Sequence, residues 1–195
     1  MERILVYRAR QLSQAHLSPL GRRWRHVQAV AGRSIELSTG LPMAQRRLLV
    51  AAAWLHDIGY SSDLVRTGLH SLDGAVFCRA QGFPDTVVSL VAYHSGAEVE
   101  ADERGLLGGL RAWETPPTEL LDRLTAADFT TGPDGRSVTV RDRVSEILSR
   151  YGPDHPVYRA VCRSGPLLIT RVEQTQNTLL RRERAIVAGF TRRAS

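Results

Sequence analysis

Apolar residues recur through most of this chain at intervals of three or four, the spacing of one face of an α-helix, and alternating apolar runs of strand length are nearly absent. This pattern predicts an all-α protein with helices near 3–15, 19–38, 42–59, 71–81, 84–95, 97–110, 114–129, 139–151 and 166–189. The segment 97–110 gives the weakest signal because it carries three glycines. The chain shows no repeat and no linker-like stretch, so residues 1–195 are interpreted as one compact domain.

One predicted helix combines an entirely apolar body with a charged end. Its segment "LLVAAAWL" has no polar face, which is typical of a buried helix, yet the next two residues are His56 and Asp57. Gly59 predicts the end of this helix, because glycine is favoured just beyond a helix C-terminus. Burying a carboxylate without a partner is costly, so the rest of the chain is expected to supply a partner for Asp57.

Other ionisable residues occupy positions that the helical period assigns to the core. They lie on separate predicted helices and are His26, His94 and Asp128, while His70 stands at the start of the segment "HSLDGAVF". A single histidine on an apolar face is usually a hydrogen-bonded core residue, but several inward histidines and aspartates need a shared positive charge. A divalent metal ion supplies that charge. Imidazole and carboxylate ligands without thiolate suit Mn, Fe, Co, Ni, Zn or Mg better than a structural zinc site.

The basic residues narrow the chemistry further. All 26 are Arg, a pattern typical of a GC-rich bacterial genome, and the absence of Lys excludes lysine Schiff-base or lysine-base catalysis. A net charge of +6 and a pI near 10.1 would suit nucleic acid or phosphorylated ligands. However, the arginines are scattered in small clusters such as "GRRWR", "AQRRLL" and "RRERA", which is typical of a solvated basic surface, so nucleic acid binding is not favoured.

Two further features concern redox state and location. Cys78 and Cys162 form no CxxC motif, and both are interpreted as ordinary buried thiols. The longest apolar runs fall far short of the ~20 residues that span a bilayer. The start "MERILVYRAR" also lacks the apolar core of a secretory signal peptide. We therefore expect a soluble, cytoplasmic protein that does not associate with membranes.

Three segments carry a resemblance to a known family. "RHVQAVA", "AAWLHDIGY" and "LTAADF", in that order and separated by helices, resemble the H…HD…D signature of the HD superfamily of metal-dependent phosphohydrolases over roughly residues 20–150. The resemblance implies an all-α fold with a core of about five helices, to which further helices are added at the N-terminus and over residues 151–195. It implies that the metal ligands are His26, His56, Asp57 and Asp128.

The resemblance extends to "GLHSLDGAVF" and "VAYHSG". In family members with two metal ions, histidines at the places of His70 and His94 bind the second ion, and the aspartate at the place of Asp57 bridges both. Alternatively, these two histidines contact substrate phosphate or serve a one-metal site as acid and base. Asp57, His70 and His94 are therefore the expected catalytic residues, with one or two ions bound.

The expected reaction is attack on phosphorus by a metal-activated water, on a phosphomonoester or phosphodiester of a small molecule, nucleotides included. Arg141 and Arg143, after the predicted loop "TTGPDGRS", are candidate phosphate ligands, although a solvated helix start would explain them equally well.

The motifs do not match those of three substrate classes known in the family. "YHSGAE" lacks the paired histidines and Gly-Tyr-Pro motif of cyclic-di-GMP phosphodiesterases. "HDIGYSSD" lacks the Glu-Asp of alarmone hydrolases and the Pro-rich continuation of deoxynucleotide triphosphohydrolases, so no named substrate class is predicted.

Two other functional classes stay open at this point. The same fold can hold a di-iron centre that cleaves carbon bonds with O₂, in which case both ions would be iron. A non-catalytic regulator could bind a nucleotide or nucleic acid through the arginine-rich surface, although such a module would not need a complete ligand set.

Overall fold

The computed structural model describes residues 2–191, and α-helices make up most of that range. The helices are α1 (Glu2–Leu17), α2 (Arg22–Glu36), α3 (Met43–Leu55), α4 (His70–Ala80), α5 (Asp85–Tyr93), α6 (Ala97–Glu103), α7 (Leu107–Arg111), α8 (Thr118–Phe129), α9 (Val140–Arg150) and α10 (Pro156–Thr191). Short 3₁₀ turns lie at Ser18–Leu20, Ile58–Tyr60 and His94–Gly96. Within residues 2–191 no β-strand forms, so the predicted all-α fold is confirmed.

The helix α3 forms the centre of the bundle and packs against α1, α2, α5 and α8. Its small residues Ala51, Ala52 and Ala53 are fully buried, and they allow these neighbours to approach closely. Leu49 and Leu55 are also fully buried. Truncating either leucine to alanine would leave a cavity that costs ~2–5 kcal/mol of stability. The apolar body of this helix is thus explained by its central position.

The end of α3 differs from the prediction. The helix stops at Leu55, and the chain continues through His56 and Asp57 into the 3₁₀ turn rather than running on to Gly59. Gly59 is not a left-handed cap. A Cβ atom at this residue would lie 2.6 Å from the backbone nitrogen of Gly74. Glycine is therefore required because the turn passes directly against α4, and not because a helix ends there.

Two other elements also differ from their predicted bounds. The predicted helix 97–110 is divided into α6 and α7 at Gly105, whose φ of +69° interrupts the helix. The last helix was predicted from residue 166, but α10 begins ten residues earlier, at Pro156. Proline is favoured in the first turn of a helix, because the N–H that it lacks would have no partner in that turn. Both Pro156 and Pro166 therefore suit a helix start, and the prediction used Pro166 where the helix begins at Pro156.

Side-chain burial corrects two expectations. Cys78 is buried as predicted, but Cys162 is exposed on α10, so the expectation for this thiol is wrong. Arg123 on α8 is almost fully buried and donates to the backbone carbonyls of Leu37 and Thr39, which joins α8 to the loop after α2. The arginines are therefore not all at the surface. Among the described residues, no helix is long and apolar enough to cross a membrane.

Candidate metal centre

The bundle brings all six predicted metal ligands to one place. His26 comes from the first turns of α2, His70 from the start of α4, and the other four from the ends of α3, α5 and α8. Their ligand atoms form two groups, His26–His56–Asp128 and Asp57–His70–His94, and within each group these atoms lie within 4.8 Å of one another. Two ligands on one ion, at bond lengths of ~2.0–2.4 Å, can be no farther apart than about 4.8 Å. Each group therefore has the spacing that a single ion requires.

Asp57 joins the two groups through its two carboxylate oxygens. Its Oδ2 lies 3.6 Å from Nε2 of His56 and 3.9 Å from Nε2 of His26. Its Oδ1 lies 3.6 Å from Nε2 of His70 in the other group. One carboxylate oxygen thus faces each group, which is the arrangement that a bridging ligand needs.

Three of the four imidazoles are oriented by backbone carbonyls. Nδ1 donates to the carbonyl of Gly132 in His26 (3.0 Å), of Ala53 in His56 (2.8 Å) and of Val91 in His94 (2.7 Å). A carbonyl can only accept a hydrogen bond, so Nδ1 carries the proton in each ring. Nε2 of each ring therefore points into the cluster, and the hydrogen bond holds the ring in the orientation that metal-ligating histidines usually have.

One nitrogen atom inside the cluster lacks a hydrogen-bond partner. Nε2 of His56 is buried and has no hydrogen-bond partner. Buried polar atoms of native proteins are rarely left in this state. Since the ring of His94 carries its proton on Nδ1, the 3.2 Å contact between Nε2 of His70 and Nε2 of His94 is a hydrogen bond in which His70 donates. The unused lone pair of His56, held among three other imidazoles and two carboxylates, fits a divalent ion, so the residues present are suited to hold one.

Local conformation fixes the remaining two ligands. At the end of α5 the chain turns through Ser95, which adopts a left-handed φ of 57°, and Oγ of Ser95 donates to Oδ2 of Asp128. The loop before His70 is held by Asp73, whose carboxylate accepts the backbone N–H groups of Arg66, Thr67 and Gly68 at 3.0–3.2 Å. Asp73 is a structural residue that sequence reasoning missed.

The charged groups of the cluster shift one another's pKa values. Burial would raise the pKa of Asp57, but the guanidinium of Arg23 and the neighbouring imidazoles hold it well below its usual range. Burial lowers the pKa of His56 and, together with His94, that of His70. Burial would also lower the pKa of His26, but its hydrogen bond to Asp128, at 3.0 Å, raises it instead. A divalent ion would take the place of that proton on His26.

Arg23 is a functional residue that sequence reasoning missed. Its Nη1 donates to Oδ2 of Asp57 at 2.5 Å, and its guanidinium lies 3.5 Å from the centre of the Tyr60 ring. The other face of Tyr60 stacks on His70, with ring centres 4.1 Å apart. Arg23 belongs to "GRRWR", which suggested a solvated surface. Its position three residues before His26, on the same face of α2, is the signal that could have identified it.

Two adjoining cavities open at the cluster. The inner one has a volume of 90 Å³ and is lined by every cluster residue except His56. The outer one, of 360 Å³, is lined by four arginines: Arg22, Arg23, Arg143 and Arg150. Of the two arginines proposed as phosphate ligands, Arg143 lines both cavities. Arg141 lines neither, since it is 68% exposed and pairs with Glu173 on α10, so the structure places it away from the site.

Comparison with known proteins identifies part of the chain. A family model described as "HD domain" matches residues 23–131, which is more than half of the chain. Two proteins named tRNA (cytidine(56)-2'-O)-methyltransferase match a shorter segment. The one from Picrophilus torridus is 32% identical over 84 residues, and the one from Thermoplasma volcanium is 35% identical over 83 residues. Each match covers 43% of this chain and 24% of the relative, so the chain spans about a quarter of their length. No solved structure matches the chain.

Proposed function

Since this chain belongs to the HD domain family, we propose that it is a phosphohydrolase that uses divalent metal ions to cleave phosphate esters of small molecules, nucleotides among them. The observation that carries the proposal is the cluster of four imidazoles and two carboxylates, in which Nε2 of His56 is buried without a partner. The four arginines of the outer cavity support a phosphorylated substrate, because the guanidinium fork matches phosphate oxygens.

We assign one ion to His26, His56 and Asp128 and a second ion to His70 and His94, with Asp57 shared between them. When bound, such ions lower the pKa of a coordinated water and neutralise charge on the phosphoryl oxygens. Four imidazoles in the set favour a transition-metal ion over Mg²⁺, which prefers oxygen ligands. Within the range of metals expected from the sequence, this makes Mg²⁺ the least suitable.

The protein's own groups orient the substrate. Arg23 and Arg143 reach both cavities and can donate to the phosphoryl oxygens that face away from the ions. In the reaction a bond forms between the water oxygen and phosphorus while the bond from phosphorus to the leaving oxygen breaks. One proton of the water is released, and the leaving oxygen takes up a proton. If only the first ion is bound, His70, which is 15% exposed and is kept neutral by its lowered pKa, is the group placed to take up the proton that the water releases.

Two other functions account for the same features less well. A di-iron oxygenase would use the same donor atoms, but the arginine-lined outer cavity suits an anionic substrate that such a reaction does not require. A non-catalytic regulator would not need six ionisable side chains held together at a metal centre. The methyltransferase activity in the names of the two relatives belongs to proteins of which the match covers 24%. The cytoplasmic location expected from the sequence stays a prediction.

The proposal is tested with purified protein that is stripped of metal and reloaded with Mn²⁺, Fe²⁺, Co²⁺, Ni²⁺, Zn²⁺ or Mg²⁺ in turn. Hydrolysis is measured on p-nitrophenyl phosphate, bis-p-nitrophenyl phosphate and a panel of nucleotides, and O₂ consumption is recorded in parallel. We expect hydrolysis that requires metal and proceeds without O₂. Oxygen uptake by the iron-loaded protein, with no hydrolysis under any metal, would overturn the proposal in favour of the oxygenase.

A further inference from the structure

The outer cavity is directly connected to the candidate metal centre. The 360 Å³ cavity and the 90 Å³ cavity share five lining residues, namely Arg23, His26, Tyr60, Arg143 and Arg150. A molecule with one group at the cluster therefore has room to extend into the outer cavity. The remaining lining residues, Leu20, Arg22 and Pro133, belong to the outer cavity alone.

The lining of the outer cavity carries an excess of positive charge. It includes four arginines and no carboxylate. The charge of Arg23 is balanced by Asp57. Arg143 and Arg150 share one carboxylate, that of Glu146, at 2.5 Å and 3.0 Å. One carboxylate cannot neutralise two guanidinium groups, and Arg22 adds a further charge at the rim, so this space attracts an anion.

One arginine of the cavity also has an unused hydrogen-bond donor. The Arg143 side chain is 11% exposed, and its Nε is buried without a hydrogen-bond partner. A guanidinium has five N–H donors, and Glu146 accepts from Nη1 alone on this side chain. A buried donor in this state is stabilised when an acceptor arrives, and phosphate oxygens in the cavity would supply one.

We propose that the substrate carries at least two phosphate groups, the scissile one at the His/Asp cluster and another in the outer cavity on Arg22, Arg143 and Arg150. The inference rests on the proposed function and narrows its substrate class to compounds such as nucleoside diphosphates. A volume of 360 Å³ lies within the range of ~300–1,000 Å³ that is usual for small-molecule pockets, which favours a small molecule over a nucleic acid strand. Leu20 and Pro133 offer the organic part of the substrate an apolar contact.

The test measures binding, so that it needs no turnover. Phosphate and pyrophosphate are titrated calorimetrically into the Mn²⁺-loaded full chain, as wild type, as the double variant Arg22→Ala/Arg150→Ala, and as Arg141→Ala. Arg22 and Arg150 are both surface residues, so folding is preserved. Arg141 lies on α9 like Arg143 and Arg150 but outside the cavity, which makes it the matched control. Chelation of Mn²⁺ by pyrophosphate is the same for all three proteins, so it cancels in the comparison.

We expect the double variant to lose pyrophosphate affinity by roughly tenfold or more, since charge-assisted contacts are lost, and to lose clearly less phosphate affinity, because Arg22 lies in the outer cavity alone while Arg150 lines both cavities. Arg141→Ala should keep both affinities. Equal loss of phosphate and pyrophosphate affinity, or the same loss in Arg141→Ala, would overturn the inference, because either result indicates general attraction by surface charge. So would a short single-stranded oligonucleotide that competes better than pyrophosphate. Absence of hydrolysis with normal pyrophosphate binding would refute the proposed function alone.

Discussion

The ion pair between Arg23 and Asp57 leads us to predict that the loss of stability on removing Arg23 depends on whether metal is bound. In Arg23→Gln the buried carboxylate of Asp57 loses the cation that lies 2.5 Å away. Removing one partner of a buried pair costs ~3–5 kcal/mol. Because 24% of the Arg23 side chain stays exposed, solvent screening reduces the expected loss for the metal-free protein to about 2–3 kcal/mol.

A divalent ion bound at Asp57 supplies the missing positive charge. The destabilisation of Arg23→Gln should therefore shrink when metal is present, since an ion that binds only the folded state stabilises the variant more than the wild type. Thermal unfolding of both proteins is measured in EDTA and in excess Mn²⁺. In EDTA the midpoint of the variant should be lower by about 4–12 °C, and in Mn²⁺ this difference should fall to less than half.

The control for this experiment is Arg25→Gln, which removes an exposed arginine from the same helix. Its unfolding midpoint should match that of the wild type in both conditions. If the unfolding midpoints of Arg23→Gln and the wild type differ by the same amount with and without Mn²⁺, the ion does not supply the positive charge that Arg23 provides to Asp57. If Arg23→Gln behaves like Arg25→Gln in EDTA, the ion pair contributes nothing to stability, and the reasoning is wrong.

Two further predictions concern catalysis and packing. Asp57→Ala should abolish metal-dependent hydrolysis while the helical circular dichroism signal is kept, and activity retained at matched metal loading would contradict a shared ligand. Arg123→Met should lower the free energy of unfolding by ~2–4 kcal/mol in urea denaturation, because two backbone carbonyls lose their buried donor. Glu119 pairs with both Arg123 and the exposed Arg182, so Arg182→Met is the matched control and should lose less than ~1 kcal/mol. Equal losses in the two variants would show that the buried contacts of Arg123 contribute nothing to stability.

The helical period was enough to predict the fold, because helices in a bundle must direct one apolar face inward. The same period placed His26, His94 and Asp128 in the core, and the structure brings these residues together with His56, Asp57 and His70. What the period could not show is how the faces are oriented around the site. Arg23 lies on the same face of α2 as His26, but a basic cluster around it suggested solvent.

Arg141 and Arg143 show where local geometry had been overlooked. Two residues apart on a helix, they point in nearly opposite directions, so they could not both reach one cavity. The structure separates them accordingly, with Arg143 in the cavity and Arg141 paired with Glu173. The role of Gly59 could not be predicted from the sequence. A helix cap depends on neighbouring residues, whereas the close approach of α4 to Gly59 depends on residues that are distant along the chain.

The most direct test of the account is a titration of the metal-stripped protein with Mn²⁺, in which bound ions are counted and phosphate ester hydrolysis is measured in the same samples. We predict no hydrolysis without metal and a rise that reaches its plateau when about two ions are bound, as expected if each of the two ligand groups holds one ion. A plateau at one ion would return His70 and His94 to substrate contact or acid–base roles. Hydrolysis that persists unchanged after the metal is removed, or that stays absent at full occupancy, would contradict the central claim.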